Sequence, residues 1–175
     1  MVLLFSKKTT RFLFYRFKRN IMVLFFLHLS FFSFSQIRIS ADSIIEFSKK
    51  QLGIKYCYGE ISPKKGFDCS GFVYYVFGHF NLNVPRASMD YQKTGRIIPP
   101  DSAQPGDLII FTGTNAKNRA PGHVGIILSK PGEIIKFIHS SSSKKKSGVK
   151  ISSYEESPYY KKRFIKLVRL ECVTN

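Results

Sequence analysis

The sequence is poor in acidic residues and in cysteine. Only 11 acidic side chains accompany 28 basic ones in 175 residues, which gives a formal net charge of +17. The three cysteines, Cys57, Cys69 and Cys172, include no Cys-x-x-Cys pair, so we expect neither a metal site nor another cofactor. An odd number of cysteines cannot all pair within one chain, which argues against a disulfide framework. No internal repeat or linker divides the sequence into several domains.

The first 35 residues have the layout of a secretory signal peptide. Six basic side chains and no acidic one precede an apolar run over residues 21–34, and small residues follow around Ser33 and Ser35. An uncleaved membrane anchor is the alternative, but the unbroken apolar part is shorter than the ~20 residues that a spanning helix needs. We therefore expect residues 1–35 to be a cleaved signal peptide. The protein would be exported to the periplasm, the cell envelope or the exterior, and would contact a membrane only if that segment stayed uncleaved.

Residues 36–175 show helical patterns first and strand patterns afterwards. Apolar residues at helical spacing, with capping residues at their starts, predict helices. Short β-branched or aromatic runs between Gly, Pro and Asn predict strands. We expect an α+β domain whose N-terminal helices pack on a central antiparallel sheet of about five strands, joined as a meander. The predicted helices are 40–52, 68–80 and 87–94, and the predicted strands are 107–112, 123–129, 134–140, 149–152 and 164–170.

Cys69 lies where a loop gives way to an apolar helix. Asp68 is a good N-cap residue, and the first backbone N–H groups of the helix would point past the sulfur. Together with the helix dipole, they would lower the pKa of the thiol and hold the oxyanion formed when the thiolate attacks a carbonyl. The alternative is that Cys69 is a small buried hydrophobic residue, as most free cysteines are.

A cysteine nucleophile needs a base, and histidine suits that task near neutral pH. His123 begins one predicted strand and His139 ends the next. If these strands are antiparallel neighbours, the two rings lie within reach, and His139 can fix the tautomer of His123. His79 is at the far end of the Cys69 helix, ~15 Å away at 1.5 Å per residue, so we assign it no catalytic role.

Six short segments form an ordered set along the chain. They are Gly53-Ile54-Lys55-Tyr56-Cys57-Tyr58-Gly59, Asp68-Cys69-Ser70-Gly71-Phe72, Val84-Pro85-Arg86-Ala87-Ser88, Gln104-Pro105-Gly106-Asp107-Leu108, His123-Val124-Gly125-Ile126 and Phe137-Ile138-His139-Ser140. In this order they resemble the NlpC/P60 family, which comprises papain-like cysteine peptidases acting on bacterial cell walls. The resemblance covers residues 40–170, and the segment 158–164 also looks like the closing strand of that family. We therefore expect residues 36–175 to form an NlpC/P60 catalytic domain.

The resemblance implies a catalytic set with Cys69 as nucleophile, His123 as base and His139 as the residue that orients it. Tyr56 matches a tyrosine that borders the active site, where it would assist the oxyanion or simply pack. Four further residues are candidates for binding the substrate peptide. Asp68, Ser70 and Ser88 match positions that bind the peptide near its amino end, although the first two could serve only as capping residues and Ser88 only as a turn residue. Arg86 could attract a substrate carboxylate or be a solvated charge.

The expected function is that of a cell-wall cysteine endopeptidase. It would hydrolyse an amide bond in peptidoglycan stem peptides through an acyl-enzyme on Cys69, either between D-glutamate and diaminopimelate or at a cross-link. A catalytically silent wall-binding module and an acyl or amide transferase are the alternatives. Without residues 1–35 the net charge is still +11, which would attract the chain to anionic wall polymers. Because of the expected export, we favour this partner over nucleic acid, and we expect a monomer.

Overall fold

A computed structural model describes residues 39–143 and 146–174. The predicted signal peptide, residues 1–35, lies outside the described residues. None of the helices in the described part has the length and apolar character to cross a membrane.

The described elements are three helices, ten strands and two 3-10 turns. The helices are α1 (Ala41–Lys49), α2 (Cys69–His79) and α3 (Pro158–Arg163), and the 3-10 turns are Ser88–Lys93 and Pro100–Ser102. The strands are β1 (Ile39–Ser40), β2 (Ile61–Ser62), β3 (Gly66–Phe67), β4 (Arg96–Ile98), β5 (Leu108–Thr112), β6 (Pro121–Ile127), β7 (Lys136–Ser141), β8 (Gly148–Ser153), β9 (Phe164–Arg169) and β10 (Val173–Thr174).

The main sheet has six antiparallel strands in the order β4-β9-β5-β6-β7-β8. The α+β class and the five predicted strands are confirmed, and β4 is an additional strand. The predicted meander holds for β5 to β8 only. Instead of extending the edge beside β8, β9 lies between β4 and β5.

The helical predictions need three corrections. The first helix ends at Lys49, and the predicted helix 87–94 is a 3-10 turn over Ser88–Lys93. The segment 158–164 is wrong as a strand, because Pro158 to Arg163 form helix α3. Its start is typical of a helix: Pro158 occupies the first turn, and the Ser157 side chain accepts a hydrogen bond from the N–H of Tyr160.

Helix α2 packs on one face of the sheet and fixes the position of Cys69. Phe72, Val73, Val76 and Phe77 are fully buried, in one cluster with residues of β5, β6 and β7. Each such side chain stabilises the fold by about 1.5–3 kcal/mol. The opposite face of the sheet is covered by a second cluster that contains Tyr160 of α3. The two layers hold the first turn of α2 against the start of β6.

Candidate active site

Cys69 is the first residue of α2, as the sequence predicts. The carboxylate of Asp68 caps this helix by accepting a hydrogen bond of 2.6 Å from the N–H of Gly71. The partly exposed thiol of Cys69 donates to the carbonyl oxygen of Gly122, with 3.8 Å between sulfur and oxygen. This contact joins the start of α2 to β6, one residue before His123.

The prediction of a lowered pKa for Cys69 is wrong. Burial raises the pKa of the thiol above 9.0, and the negative charge of Asp68 adds to that effect. The backbone N–H groups of Ser70, Val124 and Cys69 itself act in the opposite direction but do not outweigh burial. The resting thiol is therefore protonated, while the same N–H groups remain available to an oxyanion formed beside the sulfur. In the described residues Cys57 and Cys172 are also free thiols.

His123 and His139 meet as the strand pairing predicts. The Nε2 atom of His123 lies 2.8 Å from Nδ1 of His139, and the two rings are nearly perpendicular. His139 is fully buried. Its Nε2 atom lies 3.0 Å from the hydroxyl of Ser152 and 3.2 Å from that of Tyr160.

These contacts allow only one tautomer of the pair to accept a proton from Cys69. If Nε2–H of His123 donates to Nδ1 of His139, then His139 carries its own proton on Nε2 and donates it to Ser152 or Tyr160. The Nδ1 atom of His123 then has a free lone pair. In the reverse arrangement this atom carries a proton and cannot act as a base.

Both histidines are held in the neutral form. Burial is the main cause, and it lowers the pKa of His123 from 6.5 to about 3, with smaller contributions from Arg163 and Lys150. The pKa of His139 falls well below 6.5 through burial, then through the neighbouring His123 and the same two cations. A neutral thiol and a neutral imidazole therefore line the same cavity in the resting site.

A cavity of about 550 Å³ brings these groups together. Its lining includes Tyr56, Cys69, Gly122, His123, Ser152 and Tyr160, together with Lys150 and Arg163. The pKa of Tyr56 is raised to about 12, mainly by burial and then by Cys69 and Asp68. Its hydroxyl is thus a neutral hydrogen-bond donor beside the sulfur.

Four of the lining residues that the sequence did not predict act on the histidine pair. Ser152 and Tyr160 contact His139, and Lys150 and Arg163 supply positive charge. Tyr160 and Arg163 belong to α3, which the sequence analysis interpreted as a strand. The Ser157-Pro158 pair was the available signal for a helix start at that point.

Three of the predicted substrate-binding residues, Asp68, Ser70 and Arg86, form a hydrogen-bond network of their own. Arg86 makes a bidentate ion pair with Asp68 at 2.8 and 3.0 Å, and it also donates to the Ser70 hydroxyl at 3.1 Å. Arg86 is therefore not a solvated charge, because its guanidinium group is paired with Asp68. Ser88 begins the following 3-10 turn. None of these four residues is among the described residues that line the catalytic cavity.

Two other features bear on the sequence predictions. The described residues contain no group of three or more His, Cys, Asp or Glu side chains that could hold a metal ion. The ring of His79 stacks on Phe47 at the far end of α2, with 3.8 Å between ring centres.

Two known proteins are similar to this chain in sequence. The gamma-DL-glutamyl hydrolase of Bacillus subtilis is 32% identical over 126 residues, which are 72% of this chain and 29% of that protein. A murein DD-endopeptidase/LD-carboxypeptidase, MepS of Escherichia coli K12, is 39% identical over 113 residues, 64% of this chain and 53% of that protein. The chain thus spans about a third to a half of the length of these relatives.

A solved structure and a family model also match the chain. The structure of an NlpC/P60 family protein from Bacillus cereus superposes with a TM-score of 0.63 at 28% identity, covering 74% of this chain and 39% of that one. The model of the NlpC/P60 family matches residues 53–169, which is more than half of the chain. The chain belongs to the NlpC/P60 family.

Proposed function

We propose that the protein is a cysteine endopeptidase that hydrolyses amide bonds in the stem peptides of peptidoglycan. The observation that carries this proposal is the single cavity lined by Cys69 and His123, with His139 bonded to the far nitrogen of His123. The activities that name the two relatives, gamma-glutamyl hydrolysis and murein endopeptidase activity, support the substrate class. The bond cut would be the D-glutamate to diaminopimelate amide or a cross-link.

The reaction would begin with proton transfer from the Cys69 thiol to Nδ1 of His123. The sulfur attacks the amide carbonyl, and the backbone N–H groups of Cys69, Ser70 and Val124, which already face the sulfur, stabilise the oxyanion. His123 returns the proton to the leaving amine, which leaves a thioester on Cys69. Water, activated by His123, hydrolyses the thioester and restores the thiol.

His139 and its two hydroxyl partners would orient the ring of His123. The Nδ1 atom of His139 accepts the hydrogen bond from His123 only while its own Nε2 proton is donated to Ser152 or Tyr160. Tyr56 is a candidate for a further hydrogen bond to the oxyanion. Asp68, Ser70 and Ser88 would bind the amino end of the peptide, and Arg86, which is paired with Asp68, would attract a substrate carboxylate.

The test is hydrolysis of purified cell walls and of defined stem peptides. The wild-type protein should release peptides whose masses identify the bond cut, and Cys69→Ala and His123→Ala should release none. His79→Ala, at the far end of the same helix, is the matched control and should retain activity. Solubilisation of walls by Cys69→Ala would refute the proposal.

The same assay separates the two alternative functions. A silent wall-binding module would bind the peptides but would release no product from them. A transferase would give products joined to an added amine instead of free acids. Neither alternative has a structural feature in its favour here.

We also propose that residues 1–35 are a cleaved signal peptide and that residues 36–175 act outside the cytoplasm as a monomer. The support is the basic and apolar layout of the first 35 residues. The N-terminal sequence of the protein recovered from cells should begin near Gln36.

A further inference from the structure

The catalytic cavity carries two cationic side chains, and its described lining includes no carboxylate. Lys150 lies on β8, directly opposite His139 in the pairing with β7. Arg163 is the last residue of α3. Both positive charges act on the pKa of His123 and of His139, so they lie close to the catalytic pair. Unbalanced positive charge beside a base opposes its protonation, and a bound anion would reverse that effect.

Arg163 is buried without a carboxylate partner. It is 6% exposed, and its Nε and Nη2 atoms donate to the carbonyl oxygens of Gly113 and Thr112, both at 2.7 Å. No ion pair to Arg163 occurs among the described residues. Buried charges are normally paired. Its third nitrogen, Nη1, makes no hydrogen bond in the described part of the chain, which leaves it available to a ligand.

Lys150, which is half-buried, also lacks a carboxylate partner among the described residues. The Nζ atom makes one hydrogen bond of 3.3 Å, to the carbonyl oxygen of Lys146, and has no carboxylate partner in the described residues. Burial, and then the charge of Lys146, lower its pKa. A carboxylate placed in the cavity would satisfy the remaining donors of the ammonium group.

The cationic lining continues away from the catalytic residues. A neighbouring cavity of about 310 Å³ shares Thr114, Tyr159 and Arg163 with the first one and adds Lys117 and Lys162. Its described lining also lacks acidic residues. The Arg163 guanidinium lies over the Tyr159 ring, 4.4 Å from its centre, at the point where the two cavities join.

We propose that Lys150 and Arg163 bind a carboxylate of the substrate peptide, so that the enzyme prefers the free acid to the carboxamide form of a residue next to the cleaved bond. This inference rests on the function proposed above. In the stem peptide, D-glutamate is linked through its side-chain carboxyl and keeps a free α-carboxylate, and diaminopimelate keeps the free carboxylate of its second amino-acid centre; either of these is a candidate for the group bound. Guanidinium and ammonium groups bind a carboxylate through charge-assisted hydrogen bonds, which an amide cannot replace.

The test measures binding without turnover. Titration calorimetry on the Cys69→Ala protein would compare four stem peptides: both residues as acids, either one amidated, or both amidated. We expect the acid to bind about tenfold to a hundredfold more tightly than the amide at one of the two positions, which identifies the carboxylate bound. Lys150→Gln in the same background should abolish most of this preference, and Lys150→Arg should retain it.

The matched control is Lys136→Gln, which removes an exposed lysine from the neighbouring strand β7. It should leave the preference for the acid unchanged. Equal affinity for all four peptides would overturn the proposal, and so would an equal loss of preference in Lys136→Gln, which would indicate general charge attraction. Thermal unfolding checks that each variant is folded.

Hydrolysis by the protein with Cys69 intact keeps the two proposals separate. Preference for the acid in binding, without cleavage of any peptide, would refute the proposed function and leave the carboxylate subsite standing. Cleavage with equal kcat/KM for acid and amide would refute the subsite alone.

Discussion

Lowering the pH from 7 to 5 should destabilise the folded domain mainly through His123 and His139. Burial lowers the pKa of both side chains, that of His123 to about 3. In the unfolded chain each histidine binds a proton near pH 6.5, whereas the folded pair stays neutral. A group whose folded pKa is lowered contributes stability above its unfolded pKa, and that contribution is lost as the pH falls towards the folded pKa.

The expected loss follows from the pH interval. Each pH unit below 6.5 removes about 1.4 kcal/mol per neutral histidine. At pH 5 the loss is about 2 kcal/mol for each ring and about 4 kcal/mol for the pair. Carboxylates add little over this interval, because their ordinary pKa values lie near 4. Domains of this size have a free energy of unfolding of about 5–15 kcal/mol, so the pair alone would remove a large part of it.

Urea unfolding at pH 7, 6 and 5, followed by circular dichroism, measures this loss. The His139→Gln variant should lose about half or more of the pH dependence of the free energy of unfolding. The substitution removes one of the two histidines and the hydrogen-bond partner of the other. His79→Gln is the control, because that ring stacks on Phe47 away from the cavity, and it should keep the full dependence. Two results would refute the claim that both histidines are neutral in the folded protein. One is a change in the free energy of unfolding below about 1 kcal/mol between pH 7 and 5, and the other is an unchanged pH dependence in the His139→Gln variant.

Three further substitutions test the site and its support. Tyr160→Phe removes one hydroxyl from His139 and should lower kcat about fivefold with little effect on KM; an unchanged kcat would exclude this role. Asp68→Asn breaks a partly exposed ion pair and should cost about 2–3 kcal/mol in urea unfolding. Gly125→Ala places a Cβ atom 2.7 Å from a phenylalanine ring and should cost about 1–3 kcal/mol, whereas Gly78→Ala, with open space around it, should not destabilise.

Local signals were enough to predict the start of α2 and the strands that carry the histidines. Asp68 is a capping residue, and the apolar residues that follow Cys69 recur at helical spacing on the buried face. His123 and His139 come close because a short turn joins antiparallel strands, so their sequence separation already limits their distance. These parts of the site depend on residues that are near one another in the chain.

The parts that were missed depend on contacts between distant residues. Strand β9 pairs with β5 across more than fifty residues, and β4 is only three residues long, so neither placement has a local pattern. The raised pKa of Cys69 has the same origin. A helix start can be inferred from Asp68, but burial outweighs its effect, and burial depends on residues far away in the chain, such as Gly122 of β6, whose carbonyl oxygen the thiol contacts.

In the proposed reaction, the neutral forms of Cys69 and His123 determine how the nucleophile is formed. Burial raises the pKa of the Cys69 thiol above its ordinary value, and burial lowers that of His123, so both groups rest in the neutral form. In the proposed reaction the thiolate therefore forms during attack, when the thiol transfers its proton to Nδ1 of His123. Such a transfer fails when that atom is already protonated. In the proposed reaction this atom is free only when His139 donates its Nε2 proton to Ser152 or Tyr160, so the two hydroxyls act on His123 through His139.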